Sequence, residues 1–308
     1  MLLAEMPPAR PSSDDCPDAG CTPPSAPRRT RGWTWKVADS AANPGLGLRY
    51  EPGNWGDVLK GTWATIVAPA VAVHSSARDR AQPLRYLDPF AGAPTYPLLE
   101  TVVSRLVWLG SSAFIDAQRT WLERGELAST GLLVDAALAR ARVVATLDVF
   151  DLDPARRAAW VDVPRARVLP VDDGLAALES TVALDADLVL IDPYDFFTDW
   201  RRTLAALSCA ATRATLLVYL YNKSPRGAAV HREYRRLRAA LALPAGTELL
   251  VGRVPSDAVL PRAFHEMWLV AEPALIDRVR SELSRATRRL ACKLSTAGAF
   301  ESIRPDDR

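Results

Sequence analysis

Four apolar runs in this chain lead into acids, and carboxylates delivered that way can bind or react. "LRYLDPF" (84–90) carries Asp88, "RVVATLDVF" (142–150) carries Asp148, "RARVLPV" (165–171) leads into Asp172, Asp173 and Gly174, and "ADLVLIDPY" (186–194) closes on Asp192, Pro193 and Tyr194. The last is the most pointed. A stiff, polar tripeptide after a buried run is either a tight turn or the floor of an active site, because ligands of open α/β sheets bind at the carboxyl ends of the strands. Beyond Asp88 lie Gly92 and Ala93, small residues that let a ligand approach the backbone at a helix start. Asp148 is suited to accept hydrogen bonds from ribose hydroxyls, and a carboxylate in "VDDG" from an exocyclic adenine amine. Singly, each reads as a strand-end turn. Repeated at four successive strand ends, they describe a nucleoside-binding crevice.

The elements that must position these acids follow from periodicity. The four runs and "ATLLVYLYN" (214–222) are short and aliphatic, as strands buried on both faces of a parallel sheet are. "DPARRAAW", "DGLAALEST" and "DWRRTLAALSCAA" are helical stretches between them, and strand–helix alternation argues for a doubly wound α/β fold. "TELLVGRVP" (247–255) and "HEMWLVAEP" (265–273) read as an antiparallel pair at a sheet edge, and "ALIDRVRSELSRATRRLACKL" as a closing amphipathic helix. The gap between the first two strands is too long for one crossover helix. A helical insertion over about 97–128 fills it, and "TGLLVDAALARA" is the helix that returns to the sheet.

Length and composition bound the rest. The chain has 308 residues, 49% hydrophobic and 24% charged, with a net charge of +2, which fits a globular protein with one large domain and no strong charge signal for nucleic acid. Residues 1–32 hold seven prolines and no periodicity and read as a mobile tail, with 33–308 as the catalytic domain. Cys16, Cys21, Cys209 and Cys292 do not make a disulfide framework in a chain this long. The start lacks a basic region followed by an apolar core, no apolar run reaches the ~20 residues that span a bilayer, and the expected location is the cytoplasm. His74, His231 and His265 show no metal-ligand spacing, so no metal is expected. Tyr219, Tyr221 and Trp268 lie on predicted strands; most are expected in the core, with a minority facing the crevice and attracting a cation over a ring. "HREYRRLR" (231–238) reads as a solvated helix face rather than an RNA contact.

Three ordered motifs carry a resemblance. "PGNWGDVLKG" (52–61), "YLDPFAGAPTY" (86–96) and "LVLIDPYDF" (188–196) are similar to "AGNxADVLKH", "YLDTHAGAGRY" and "LILIDPPYE" of the large-subunit rRNA adenine-N6 methyltransferases, within the class I S-adenosylmethionine (SAM) methyltransferases. The resemblance covers about residues 48–275. It implies a Rossmann-like fold with a mostly parallel seven-stranded sheet, a helical insertion after the first strand, and SAM as cofactor. It further implies that Asn54, Asp57 and Lys60 face the cofactor from an N-terminal helix, and that Asp88, Phe90 and Gly92 line its methionine side with Thr130. Asp148 would hold the ribose, Asp173 and Gly174 the adenine. Asp192, with Tyr194 and Lys60, would face the reacting centre.

The departures bear on substrate. The family's "DPPY" is shortened to Asp192-Pro193-Tyr194, its two motif histidines are Phe90 and Gly61, the second glycine of "AGAG" is Pro94, and its N-terminal tyrosine and histidine are Leu46 and Leu48. Losing one proline re-aims the loop that faces a flipped base. The expected function is a SAM-dependent enzyme acting on a small-molecule amine, by methyl transfer or by cyclisation or elimination of SAM alone. RNA adenine methylation and a non-catalytic binding protein are the alternatives. Oligomeric state is not legible.

Overall fold

The structure is a computed structural model that describes residues 52–75, 82–110, 112–180, 185–193, 200–222, 238–255, 264–293 and 299–303. The N-terminal tail, Leu46, Leu48, Tyr194, Lys223 and nearly all of "HREYRRLR" lie outside these residues.

Each expected strand forms, with ends that differ from the apolar runs by up to three residues. They are β1 (Leu84–Asp88), β4 (Ala145–Val149), β5 (Ala166–Val168), β6 (Leu188–Ile191), β7 (Thr215–Asn222), β8 (Glu248–Pro255) and β9 (Phe264–Ala271). In sheet order β5, β4, β1, β6 and β7 run parallel, and β9 and β8 follow antiparallel. This is the mostly parallel, Rossmann-like arrangement implied by the resemblance. An eighth strand, β10 (Ala299–Ile303), pairs with β8 at the edge. The closing helix therefore does not end the fold. Five residues interrupted by Glu301 and Ser302 gave no periodicity to read.

The sheet is buried on both faces. In β6, Leu188 and Leu190 join one core cluster while Val189 and Ile191 join the other, the period-2 alternation that a doubly covered strand requires. One face carries α1 (Trp55–Ser75), α4 (Thr130–Arg140) and α8 (Pro273–Lys293). The other carries α6 (Gly174–Glu179) and α7 (Trp200–Ala210), and α5 (Pro154–Trp160) follows β4. The helical insertion is present as α2 (Glu100–Leu109) and α3 (Ala113–Leu122), closed at its base by a small antiparallel pair, β2 (Thr95–Pro97) and β3 (Glu126–Ala128). Buried Gln118 holds it shut, its side chain exchanging hydrogen bonds of 2.8 and 3.0 Å with the Ala128 backbone.

The helix that carries the first motif owes its start to local chemistry. Asn54 Oδ1 accepts from the Gly56 and Asp57 amides at 2.7 and 3.2 Å, and Asp57 Oδ2 accepts from the Gly53 amide at 2.9 Å. This reciprocal cap satisfies orphan donors of the first turn and stabilises by about 1 kcal/mol. Deeper along the helix, fully buried Trp63 donates to Thr287 of α8 at 3.1 Å and lies against β8, where a Cβ on Gly252 would come within 2.3 Å of its ring. Gly252→Ala should therefore destabilise the protein by about 1–3 kcal/mol through overpacking, read as a fall in denaturation midpoint. An unchanged midpoint would show that the junction of α1, β8 and α8 yields without cost.

Candidate functional site

Two strand ends, the interior of β7 and the first turns of α1 meet in one polar cluster. Lys60 projects from α1 with only 7% of its surface exposed. Its Nζ contacts Asp192 Oδ2 directly after β6, lies 3.0 Å from Asp57 Oδ1, and sits over the Tyr219 ring at 4.8 Å. Burial pushes the Asp192 carboxyl up, and the Lys60 ammonium pulls it part of the way back. The Asp192 side chain keeps 21% of its surface exposed, so the pair is not sealed from a ligand. Lys60 meets Oδ2, and among the described residues no hydrogen bond to Oδ1 accompanies it.

Asp88 stands beside this pair at the end of β1. It accepts from Tyr86 Oη and from the Phe90 amide, both at 3.1 Å, and is 2% exposed. Burial pushes its carboxyl up to about 7; the Asp192 charge adds to the rise, while the Phe90 amide, Lys60 and Tyr86 oppose it. Asp57 and Asp192 thus contact the Lys60 ammonium, and Asp88 stands near enough to feel its charge. With three carboxyls near one ammonium, the place suits a ligand that brings positive charge.

The small-residue turn after β1 is packed closely by the protein's own side chains. Gly92 has φ +65°, a left-handed conformation that glycine adopts without strain, and a Cβ there would lie 2.3 Å from Tyr96 Oη. Its amide donates to Asp151 Oδ2 at 3.0 Å, its carbonyl accepts from Trp160 Nε1 at 2.8 Å, and the Ala93 amide donates to Tyr96 Oη at 2.9 Å. Thr130 opens α4 beside this turn, tied there by the Ser129 amide bond to the Pro94 carbonyl at 2.8 Å. The buried Ser129 hydroxyl has no hydrogen-bond partner among the described residues. Gly174 packs against the same region, since a Cβ would lie 2.4 Å from the Phe90 ring and 2.5 Å from the Pro89 carbonyl oxygen. Its neighbour Asp173 caps α6 by accepting from the Ala176 amide at 2.6 Å and meets Arg202 at 3.1 Å. The Ala176 amide, with Arg202 assisting, holds the Asp173 carboxyl below its usual range.

The structure alters several expectations. Asp148 lies one residue inside β4, its side chain 4% exposed, bound by Arg167 Nε at 2.7 Å and Arg85 at 3.2 Å. It is an ion-paired sheet residue, because strand alternation turns it onto the face shared with Arg85 and Arg167 instead of out of the strand end. Asp151, past the last residue of β4, is the acid that reaches the glycine turn. The signal lies in "VFDLDP": the strand ends at Val149, so Asp151 and not Asp148 follows it. Asn54 is spent on capping α1, and Asp57 divides itself between that cap and Lys60. Gly61, where the resembled family has histidine, has no room for a side chain: a Cβ would lie 2.4 Å from the Phe114 ring. The Tyr219 ring faces Lys60, whereas Trp268 is fully buried in the opposite core cluster and bonds Glu266 at 2.6 Å. His265 has no metal spacing; its signal is a titratable residue inside the apolar run "FHEMWLVA", and it meets Tyr219 Oη at 2.7 Å.

No family model matches the chain, and no curated protein matches it by sequence. Among solved structures, protein LPL1258 from Legionella pneumophila, described with family model DUF519, is 15% identical, covers 82% of this chain and 97% of its own, and superposes with a TM-score of 0.59. A putative methyltransferase yhhF from Escherichia coli is 15% identical over 78% of this chain and 92% of its own, with a TM-score of 0.36. A putative rRNA methylase from Clostridium thermocellum is 12% identical over 65% of this chain and 95% of its own, with a TM-score of 0.33. The superposition on LPL1258 shows that this chain shares its fold.

Proposed function

We propose that the protein is a SAM-dependent enzyme acting on a small-molecule amine by transfer of the methyl group, or acting on SAM itself by cyclisation or elimination that releases methylthioadenosine. The observation that carries this reading is the cluster of Asp57, Asp88 and Asp192 about buried Lys60 at the carboxyl ends of β1 and β6. SAM fits the charge of the residues present: it is a cation, and the carboxyls of Asp57, Asp88 and Asp192 outnumber the single ammonium of Lys60.

When bound, SAM supplies a carbon made electrophilic by its sulfonium. Everything else is asked of the chain. Asp88, Gly92 and Thr130 line the methionine end, Asp173 and Gly174 with Phe90 meet the adenine, and Asp151 takes the ribose hydroxyls in place of Asp148. Asp192 Oδ1 accepts an N–H of the amine and aims its lone pair in line with the reactive carbon. Since burial raises this carboxyl, it takes up an amine proton more readily than a surface aspartate, and Lys60 limits the rise. Proximity and fixed dipoles supply most of the acceleration. Tyr194 remains a proposed participant beyond the described residues.

Two tests follow. In calorimetric titration with SAM, Asp151→Ala should weaken binding about tenfold or more, ~1.4 kcal/mol, while Asp148→Ala stays within a few-fold; the reverse ranking would return the ribose to Asp148. The reaction itself is tested by incubating wild-type and Asp192→Asn protein with SAM alone and with added amines. Methylthioadenosine from SAM alone identifies cyclisation or elimination, and S-adenosylhomocysteine formed only with an amine identifies transfer. Asp192→Asn should lower either turnover on the order of 100-fold with SAM affinity within a few-fold. Undiminished turnover of that variant, or methylation of rRNA adenine instead, would overturn the reading.

A further inference from the structure

We infer that Tyr219 and His265 are positioning residues for Lys60: the imidazole orients the phenol, and the phenol ring holds the ammonium against Asp192. The inference rests on the proposed part of Lys60 and Asp192 in the reaction. Its physical basis is a chain of contacts that packing alone does not call for. Tyr219 on β7 and His265 on β9 face α1 from adjacent antiparallel strands, with Tyr219 Oη 2.7 Å from His265 Nδ1. His265 is also stacked on Tyr221, with centroids 4.7 Å apart and planes 11° apart, and lies nearly parallel to the Tyr219 ring at 6.0 Å and 19°. The imidazole is thus fixed by a ring on one side and a hydrogen bond on the other. Lys60 Nζ sits over the far end of this series, 4.8 Å from the Tyr219 centroid.

The groups facing the pair come from three elements: Asp57 and Lys60 on α1, Asp192 after β6, and Tyr221 on β7. Burial among them holds the His265 pKa down to about 4, so the ring is neutral near pH 7 and a phenol that donates to Nδ1 leaves the proton on Nε2. A neutral ring matters here, since an imidazolium at this place would repel the ammonium that Tyr219 supports. Lys60 also needs an external constraint. It is a point charge on a flexible stem, placed between two carboxylates, Asp57 and Asp192, and neither acid alone fixes where the charge rests. The face of an aromatic ring adds a directional attraction in a desolvated site.

Gly56 shows that α1 is fitted to this pair. A Cβ there would lie 2.0 Å from Tyr219 Oη and 2.8 Å from His265 Nδ1. Gly56 is the second residue of α1, and its missing side chain is what lets the hydroxyl and the imidazole meet beneath the first turn.

The test reads Lys60 directly. The chain has four lysines, Lys36, Lys60, Lys223 and Lys293, so lysine-labelled protein gives few side-chain NMR signals, and Lys60→Met identifies the one that matters. The Lys60 ε-methylene should be displaced upfield by the Tyr219 ring current. His265→Leu and Tyr219→Phe should each remove most of that displacement, and His265→Asn, whose amide oxygen can accept where Nδ1 does, should retain it. Turnover should follow the same order, with kcat lowered and SAM affinity unchanged in the first two variants. An unmoved Lys60 signal in either His265→Leu or Tyr219→Phe overturns the inference, and Tyr219→Phe, which deletes a single oxygen, decides it if His265→Leu does not fold. Because the NMR readout needs no substrate, loss of the proposed reaction in wild-type protein would not be mistaken for failure of this pair.

Discussion

The contact between Lys60 and Asp192 joins residues 132 positions apart and ties α1, already packed through its buried apolar face, to the end of the central strand β6. An ammonium with 7% exposure is tolerable only with partners, since removing one member of a buried pair leaves an uncompensated charge that costs several kcal/mol. The rest of the site is arranged around that demand. The cap on Asn54 fixes the start of α1, Asp57 returns from that cap to Lys60, and Tyr219 lies under the ammonium. Replacing the pair with apolar residues of similar size would serve stability as well or better. Its presence at the carboxyl ends of the strands therefore points to use.

Rigidity and openness are divided between the two members. Asp192 follows four fully buried aliphatic residues, Leu188 to Ile191, so its backbone is set by the central sheet, while its side chain retains contact with solvent. Lys60 belongs to a long helix packed against α3, α4 and α8. A ligand entering the crevice meets an acid held by the core and a cation held by a helix, and neither needs to reorganise. On the proposed reading, that fixed geometry is what a site needs in order to place an amine in line with an electrophilic carbon.

Much of this was legible before any coordinates. Short continuous aliphatic runs with intervening helical stretches placed every parallel strand, and the long interval after β1 placed the insertion, because these signals are local and strong. The Asp192–Lys60 neighbourhood was legible because motif spacing carried it. What the sequence concealed was sidedness. Asp148 and Asp151 are three residues apart in one run, and only the end of β4 at Val149 decides which one leaves the sheet and which turns into an arginine pair. The partnership of Tyr219 with His265 depends on strand register across β7 and β9, which neither run encodes alone. Gly61 and Gly56 read as departures or spacers, and their meaning appears only when the rings they accommodate are in place.

The most direct test of the site is a crystal structure of the protein with S-adenosylhomocysteine bound. The ligand should lie across the carboxyl ends of β1 and β4, its ribose on Asp151, its adenine edge toward Asp173, and its sulfur turned toward Asp192. A ligand bound elsewhere, or one in this crevice with its sulfur turned away from Asp192 and Lys60, would contradict the assignment of these residues to the reacting centre.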